Sequence, residues 1–142
     1  LVASSVATVI AQRLVRKICP YCVETYPVDD ATWNAWKALA PEIAEKVEAA
    51  GGRTFKRGRG CRQCGNTGYL GRTAICEIMG ITGDIRGLVM QGAPAEDIEE
   101  AAVSGGMTTL AIDGVSKVLL GITSREELGK VCAVPKVIGG FG

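Results

Sequence analysis

Apolar residues recur at helical intervals at the start of the chain, at Val6, Val9, Ile10, Leu14 and Ile18. That spacing predicts a helix over residues 2–18. Arg13, Arg16 and Lys17 fall in its last turns, where cations suit the helix dipole, and Cys19-Pro20 ends it. A second helical region follows Asp29-Asp30, either of which is placed to cap it. Trp33, Trp36, Leu39 and Ala40 share one side of it; Pro41 breaks or restarts the helix, and Ile43 and Val47 continue the stripe until Gly51-Gly52 stops it. The two tryptophans read as packing rather than as a ligand platform.

The pattern then changes. Arg53, Lys56, Arg57, Arg59 and Arg62 form a basic run broken by glycines, read as a loop, and Gly65-Asn66-Thr67-Gly68 is turn chemistry. Tyr69 to Met79 alternates as strands do, with a turn or bulge at Gly71-Arg72. Short helices follow. One covers 84–91. Another opens near Pro94, carries Glu96, Asp97, Glu99 and Glu100 in its early turns and ends at Gly105-Gly106. A third covers 107–120 and stops at Gly121. The fourth runs from Ser124 to about Val131, with Ser124 and Glu127 spaced as a capping box. The last ten residues, with Pro135 and Gly139-Gly140, read as a frayed end.

Composition narrows the class. The 142 residues are 47% hydrophobic and 22% charged, which suits one packed domain or a compact part of a larger protein. A net charge of +1 gives no global electrostatic case for nucleic acid or a membrane surface. No apolar run approaches the roughly 20 residues of a transmembrane helix, so no transmembrane segment is expected. Leu1 to Ile10 is apolar, but it lacks the basic leader and initiating Met of a signal peptide. A chain starting at Leu1 is expected to be part of a longer protein.

The cysteines carry the chemistry. Cys19-Pro20-Tyr21-Cys22 and Cys61-Arg62-Gln63-Cys64 are two Cys-x-x-Cys pairs, and there is no histidine. Together they offer four thiolates, the donor set of a closed, tetrahedral structural zinc site. Rubredoxin-like iron would also accept this set, but nothing else in the sequence supports electron transfer. A redox dithiol would usually appear once, at a helix N-terminus. The 38 residues between Cys22 and Cys61 exceed the spacing of a compact ribbon. Their extra loop-closure cost is only about 0.7 kcal/mol relative to a ~17-residue loop, against roughly 10–16 kcal/mol from structural zinc in small peptides. Four protein ligands leave no open position, so the site is not expected to be catalytic. Gly65 suits a knuckle turn with positive φ, and Pro20 stiffens the first pair. Arg16, Lys17 and Arg62 are close enough in sequence to offset the −2 charge of a zinc tetrathiolate. Cys76 reads as a small buried strand residue and Cys132 as incidental.

Other chemistry is sparse. The basic run could contact phosphates, although a solvated loop that neutralises the centre accounts for it better. No Gly-x-x-x-x-Gly-Lys-[Ser/Thr] loop is present, nor a nucleophile–base set. This segment is therefore not expected to be active alone.

Three ordered blocks bear a family resemblance. Leu1-Val2-Ala3-Ser4-Ser5 with Ala11-Gln12-Arg13-Leu14-Val15-Arg16-Lys17-Ile18-Cys19-Pro20-Tyr21-Cys22 is the first. Gly60-Cys61-Arg62-Gln63-Cys64-Gly65 through Gly68-Tyr69-Leu70-Gly71-Arg72-Thr73 to Glu77-Ile78-Met79 is the second, and Gly106-Met107-Thr108-Thr109-Leu110 through Gly121-Ile122-Thr123-Ser124-Arg125-Glu126-Glu127-Leu128 the third. They resemble the C-terminal part of the secretion ATPases, the hexameric motors of type II secretion and type IV pilus assembly. The resemblance implies an α/β fragment: the end of a RecA-like P-loop ATPase core at 1–18, a tetracysteine zinc subdomain with a helical insert at 19–65, strands returning to the core at 66–81, a C-terminal helical subdomain or bundle at 82–132 and a tail at 133–142. It implies structural zinc on Cys19, Cys22, Cys61 and Cys64, with ATP and magnesium bound only by upstream parts of the parent protein. It further implies a homo-hexamer in the cytoplasm, peripheral to the inner membrane, working against an inner-membrane platform protein and binding no nucleic acid. The insert with Trp33 and Trp36 matches no motif of that family. The alternative is a stand-alone zinc-ribbon module binding nucleic acid or protein. A chaperone-type cysteine-rich domain fits less well, because Asn66 stands where its repeat has glycine.

Overall fold

The computed structural model describes residues 8–104 and 107–134. Among them are two two-stranded sheets and six helices. The order is β1 (Thr8–Ile18), β2 (Val23–Pro27), α1 (Asp30–Lys37), α2 (Pro41–Gly51), β3 (Thr54–Gly58), β4 (Tyr69–Gly80), α3 (Gly83–Met90), α4 (Ala95–Ser104), α5 (Leu110–Leu119) and α6 (Arg125–Gly129). This is a small α/β architecture. None of the described helices is long and apolar enough to cross a membrane.

Strand β1 overturns the helix expected over residues 2–18; residues 2–7 lie outside the described ones. Ile10 and Leu14, which a helical stripe would bury, are 64% and 60% exposed, while Val15 and Ile18 are buried. β1 pairs with β4, far downstream. Its β-branched residues suit that state, and the partner settles a choice that local periodicity left ambiguous. β4 is continuous, and Gly71 is accommodated within it at φ +81°.

The chain divides into two compact units, one built mainly from Cys76–Leu110 and the other from Arg13–Ile75 with the segment from Ala111 onward. In the first, α3 packs against α4. Thr82 caps α3 by accepting from the Ile85 N–H at 3.3 Å. Helix α4 starts directly after Pro94. Ile78 bridges Thr108, so the helix expected to begin at 107 begins at Leu110.

In the second unit, the stretch between the cysteine pairs forms a two-stranded ribbon with two helices. β2 runs antiparallel to β3, from Val23↔Gly58 to Pro27↔Thr54. The expected basic loop is thus partly strand β3. Helices α1 and α2, separated before Pro41 at the start of α2, lie over this ribbon. Asp29 takes the N-cap position of α1 without a side-chain cap bond. Phe55 is the hub. Its ring centroid lies 5.0 Å from Trp36, 6.1 Å from Trp33 and 6.3 Å from Tyr26, and all but Tyr26 are buried. The Trp33 indole N–H donates to Glu48, so its polar edge is satisfied inside the cluster. The tryptophans are core residues, as their helical spacing predicts.

The same unit takes in most of α5 and all of α6. Val115, Val118, Leu119 and Leu128 are buried, and a Cβ on Gly114 would collide with Leu128. Gly121, at φ +79°, ends α5. Residues 135–142, most of the expected tail, lie outside the described residues.

Candidate metal centre

The four paired cysteines come together because three backbone segments are tied to one another. As β1 ends, the Cys19 N–H donates to the Gly68 carbonyl at 2.9 Å, holding the first pair against the exit of the second. The Arg59 N–H donates to the Cys22 carbonyl at 3.1 Å and brings in the end of β3. The second pair folds on itself through Asn66 N–H to the Cys61 carbonyl at 2.8 Å and the Thr67 hydroxyl to the Cys64 carbonyl at 2.8 Å. This turn places Gly65 and Asn66 at φ +64° and +63°, the conformation expected for Gly65 and one that Asn tolerates. Gly58 and Gly68 pass so closely that neither has room for a Cβ.

The resulting sulfur cluster has the dimensions of a metal site. All four Sγ atoms lie within 4.8 Å of one another. Cys19–Cys61 is 3.7 Å, Cys22–Cys64 3.9 Å and Cys61–Cys64 3.6 Å. A tetrahedron with 2.3 Å metal–sulfur bonds has edges of about 3.8 Å. Disulfides are excluded, since a bonded pair would stand at about 2 Å. Cys19, Cys22 and Cys64 are buried and Cys61 half-buried. Backbone donors face the sulfurs: Gly60 N–H to Cys22 at 3.3 Å, and Cys61 and Gly68 N–H to Cys64 at 3.3 and 3.2 Å. Such donors stabilise thiolates over thiols. Cys76 and Cys132 stand outside the cluster, both half-buried; Cys76 lies in β4.

Two of the thiols, Cys64 and Cys22, are shifted in opposite directions. Burial pushes the Cys64 thiol up, but the Cys61 and Gly68 N–H groups and the neighbouring sulfurs outweigh it and bring it down to about 6. Burial dominates at Cys22 and, with the three other thiols, pushes it up to about 12 against the Gly60 N–H. Cys64 therefore ionises more readily than Cys22. A divalent cation would draw the remaining protons off.

The cations near this centre are partly committed elsewhere. Arg16, expected to offset the charge of the site, instead grips Glu127 through Nε at 2.9 Å and Nη2 at 2.7 Å, with its guanidinium 4.2 Å over the Tyr69 ring. Lys17 and Arg62 are exposed. In the basic run, Arg53 pairs with Asp30 at 2.6 Å and Arg57 with Glu24 at 2.8 Å. These pairs draw two of its five cations into the insert's own surface.

Glu127 was legible only as a capping residue. Ser124 Oγ does accept from the Glu127 N–H at 3.1 Å, but the carboxylate turns to Arg16 rather than back to the cap. Burial pushes that carboxyl up. The Arg16 guanidinium and backbone N–H, with Lys130, outweigh burial and hold it at about 2. A folded value below the unfolded 4.5 means that the contact stabilises at neutral pH and loses its effect as pH falls from about 4.5 through 2. The stability gap between wild type and Glu127→Gln is therefore expected to shrink across this window, as read from urea midpoints at successive pH values. A gap independent of pH would contradict the pairing.

Comparison with known proteins places these features in context. Residues 1–130 match the family model described as type II/IV secretion system protein. The chain is 38% identical to the type IV pilus assembly ATPase PilB of Thermus thermophilus over 127 residues, covering 89% of this chain and 14% of that protein. It is 37% identical to the type II secretion system protein HxcR of Pseudomonas aeruginosa, covering 92% and 22%. It is 36% identical to the type II secretion system protein E of Pectobacterium carotovorum, covering 92% and 24%. The chain thus spans a quarter or less of the length of these relatives.

Proposed function

Since the chain belongs to the type II/IV secretion system protein family, we propose that it is the zinc-bearing C-terminal part of a hexameric ATPase that powers type II secretion or type IV pilus assembly. The observation that carries this reading is the family match through residues 1–130, which includes all four clustered cysteines. In this reading residues 1–18 end a RecA-like core, 19–65 form the zinc subdomain, 66–81 return to the core, 82–132 form the C-terminal helical subdomain and 133–142 the tail. Cys19, Cys22, Cys61 and Cys64 are the zinc ligands. Bound zinc supplies a closed fourfold crosslink with no chemistry on substrate. ATP and magnesium are handled upstream in the parent, which works in the cytoplasm against an inner-membrane platform protein.

The role of the chain's own residues is architectural. The centre pins together the start of β2 and the end of β3, which pair at Val23 and Gly58, and so closes the base of the aromatic insert. The test is genetic and biochemical together. Disrupting the parent gene should abolish secretion of exported proteins or pilus assembly, and the purified parent should hydrolyse ATP. A parent without nucleotide hydrolysis, or a disruptant with both processes intact, would contradict the motor assignment.

A further inference from the structure

The backbone supports of both cysteine pairs converge on one distant segment. Arg16, just ahead of Cys19, holds Glu127 with its guanidinium and also donates its backbone N–H to the second carboxylate oxygen at 3.0 Å. The Arg16 carbonyl accepts from the Thr123 hydroxyl at 2.7 Å, and the Ile18 N–H donates to the Ile122 carbonyl at 3.0 Å. From the other pair comes Tyr69, shortly after Cys64. Its ring lies beneath the Arg16 guanidinium, and its hydroxyl is 2.6 Å from Ser124 Oγ, the cap of α6. Thr123, Ser124 and Glu127 are 0%, 1% and 6% exposed, so this is a built-in seat rather than a surface contact.

We propose that the segment Ile122–Glu127 is a supporting wall of the metal centre, so that metal occupancy and the order of α6 form one linked equilibrium. The inference rests on the reading that the four cysteines hold zinc. The seat needs two strands at once. Arg16 comes from the chain entering the first pair and Tyr69 from the chain leaving the second. Arg16 lies in β1 and Tyr69 at the start of β4, and the pairing of these strands continues into the Cys19 N–H to Gly68 carbonyl bond at 2.9 Å, beside the sulfurs. A metal that ties Cys19 and Cys22 to Cys61 and Cys64 clamps this end of the paired strands. Without it, this end of the β1–β4 pairing is free to fray, which parts Arg16 from Tyr69 and loosens the cation on buried Glu127, a costly change. Linkage is reciprocal: what metal gives to α6, α6 gives back to metal affinity.

The test uses the full chain. Zinc affinity is measured by chelator competition for wild type, Glu127→Gln, Tyr69→Phe and Arg57→Gln. The last breaks an exposed ion pair of the insert and serves as control. Tyr69→Phe keeps the ring under Arg16 and removes only the hydroxyl. The proposal expects affinity to fall about tenfold in Glu127→Gln, by a smaller factor in Tyr69→Phe, and not at all in Arg57→Gln. Amide hydrogen exchange over 122–131 should quicken on zinc removal while α3 is unchanged. Equal zinc affinity in all four proteins, with 122–131 still protected after zinc removal, would overturn the linkage and leave the metal reading intact. A wild-type chain that takes up no zinc would overturn both.

Discussion

Replacing Cys61 by serine is expected to remove bound zinc and to unfold the region between the two cysteine pairs. Apparent zinc contributions of roughly 10–16 kcal/mol in small peptides exceed or equal the whole stability of most domains, about 5–15 kcal/mol. β2 begins directly after Cys22 and β3 ends shortly before Cys61, and Val23 pairs with Gly58, so both strands lose their anchor at the same end of the ribbon. Intrinsic fluorescence reads the outcome, because Trp33 and Trp36 are both in the insert and both buried. The emission should shift red in Cys61→Ser, and a strong chelator should do the same to wild type. Cys76→Ser and Cys132→Ser are the controls. Both residues lie outside the sulfur cluster, and each change should stay within about 1 kcal/mol of wild type. Equal behaviour of Cys61→Ser and Cys76→Ser would remove the basis for a structural metal.

The second large effect lies away from the sulfurs. Phe55→Ala deletes the one ring among the described residues that lies against Tyr26, Trp33 and Trp36 together. Phe55 is 1% exposed and central to a small core, so few neighbours are available to collapse into the gap. A loss of about 3–5 kcal/mol is expected, measured by urea unfolding of the zinc-loaded chain. Zinc should stay bound in folded Phe55→Ala, because the sulfurs take their backbone donors from Gly60, Cys61 and Gly68 rather than from the aromatic cluster. A loss below about 1 kcal/mol would show that the insert does not depend on this hub.

The residues differ in how plainly they announced these roles. The grouping of the four cysteines was legible because the donor type and the paired spacing carry it, whatever lies between. The tryptophan stripe and the break at Pro41 were legible because a helix enforces its period locally. The capping position of Ser124 was legible for the same reason. β1 was not, because Val9, Ile10, Leu14 and Ile18 satisfy a helical period by accident, and the deciding partner β4 comes fifty residues later. β2 is five residues long and ends in proline. β3 hides its apolar signal in Phe55 among Lys56, half-buried with its stem beside Gly121, and Arg57, which pairs with Glu24. The Arg16–Glu127 pair joins residues 111 apart in sequence, and no local pattern announces such a contact. Glu127 even offered a competing local reading as the far half of a capping box.

The central claim is that these four cysteines hold one structural zinc ion. Elemental analysis of the purified full chain, combined with X-ray absorption at the zinc edge, tests it most directly. The account predicts one zinc per chain with four sulfur neighbours at about 2.3 Å. A chain that is folded yet carries no zinc, or a zinc surrounded by nitrogen and oxygen, would contradict it.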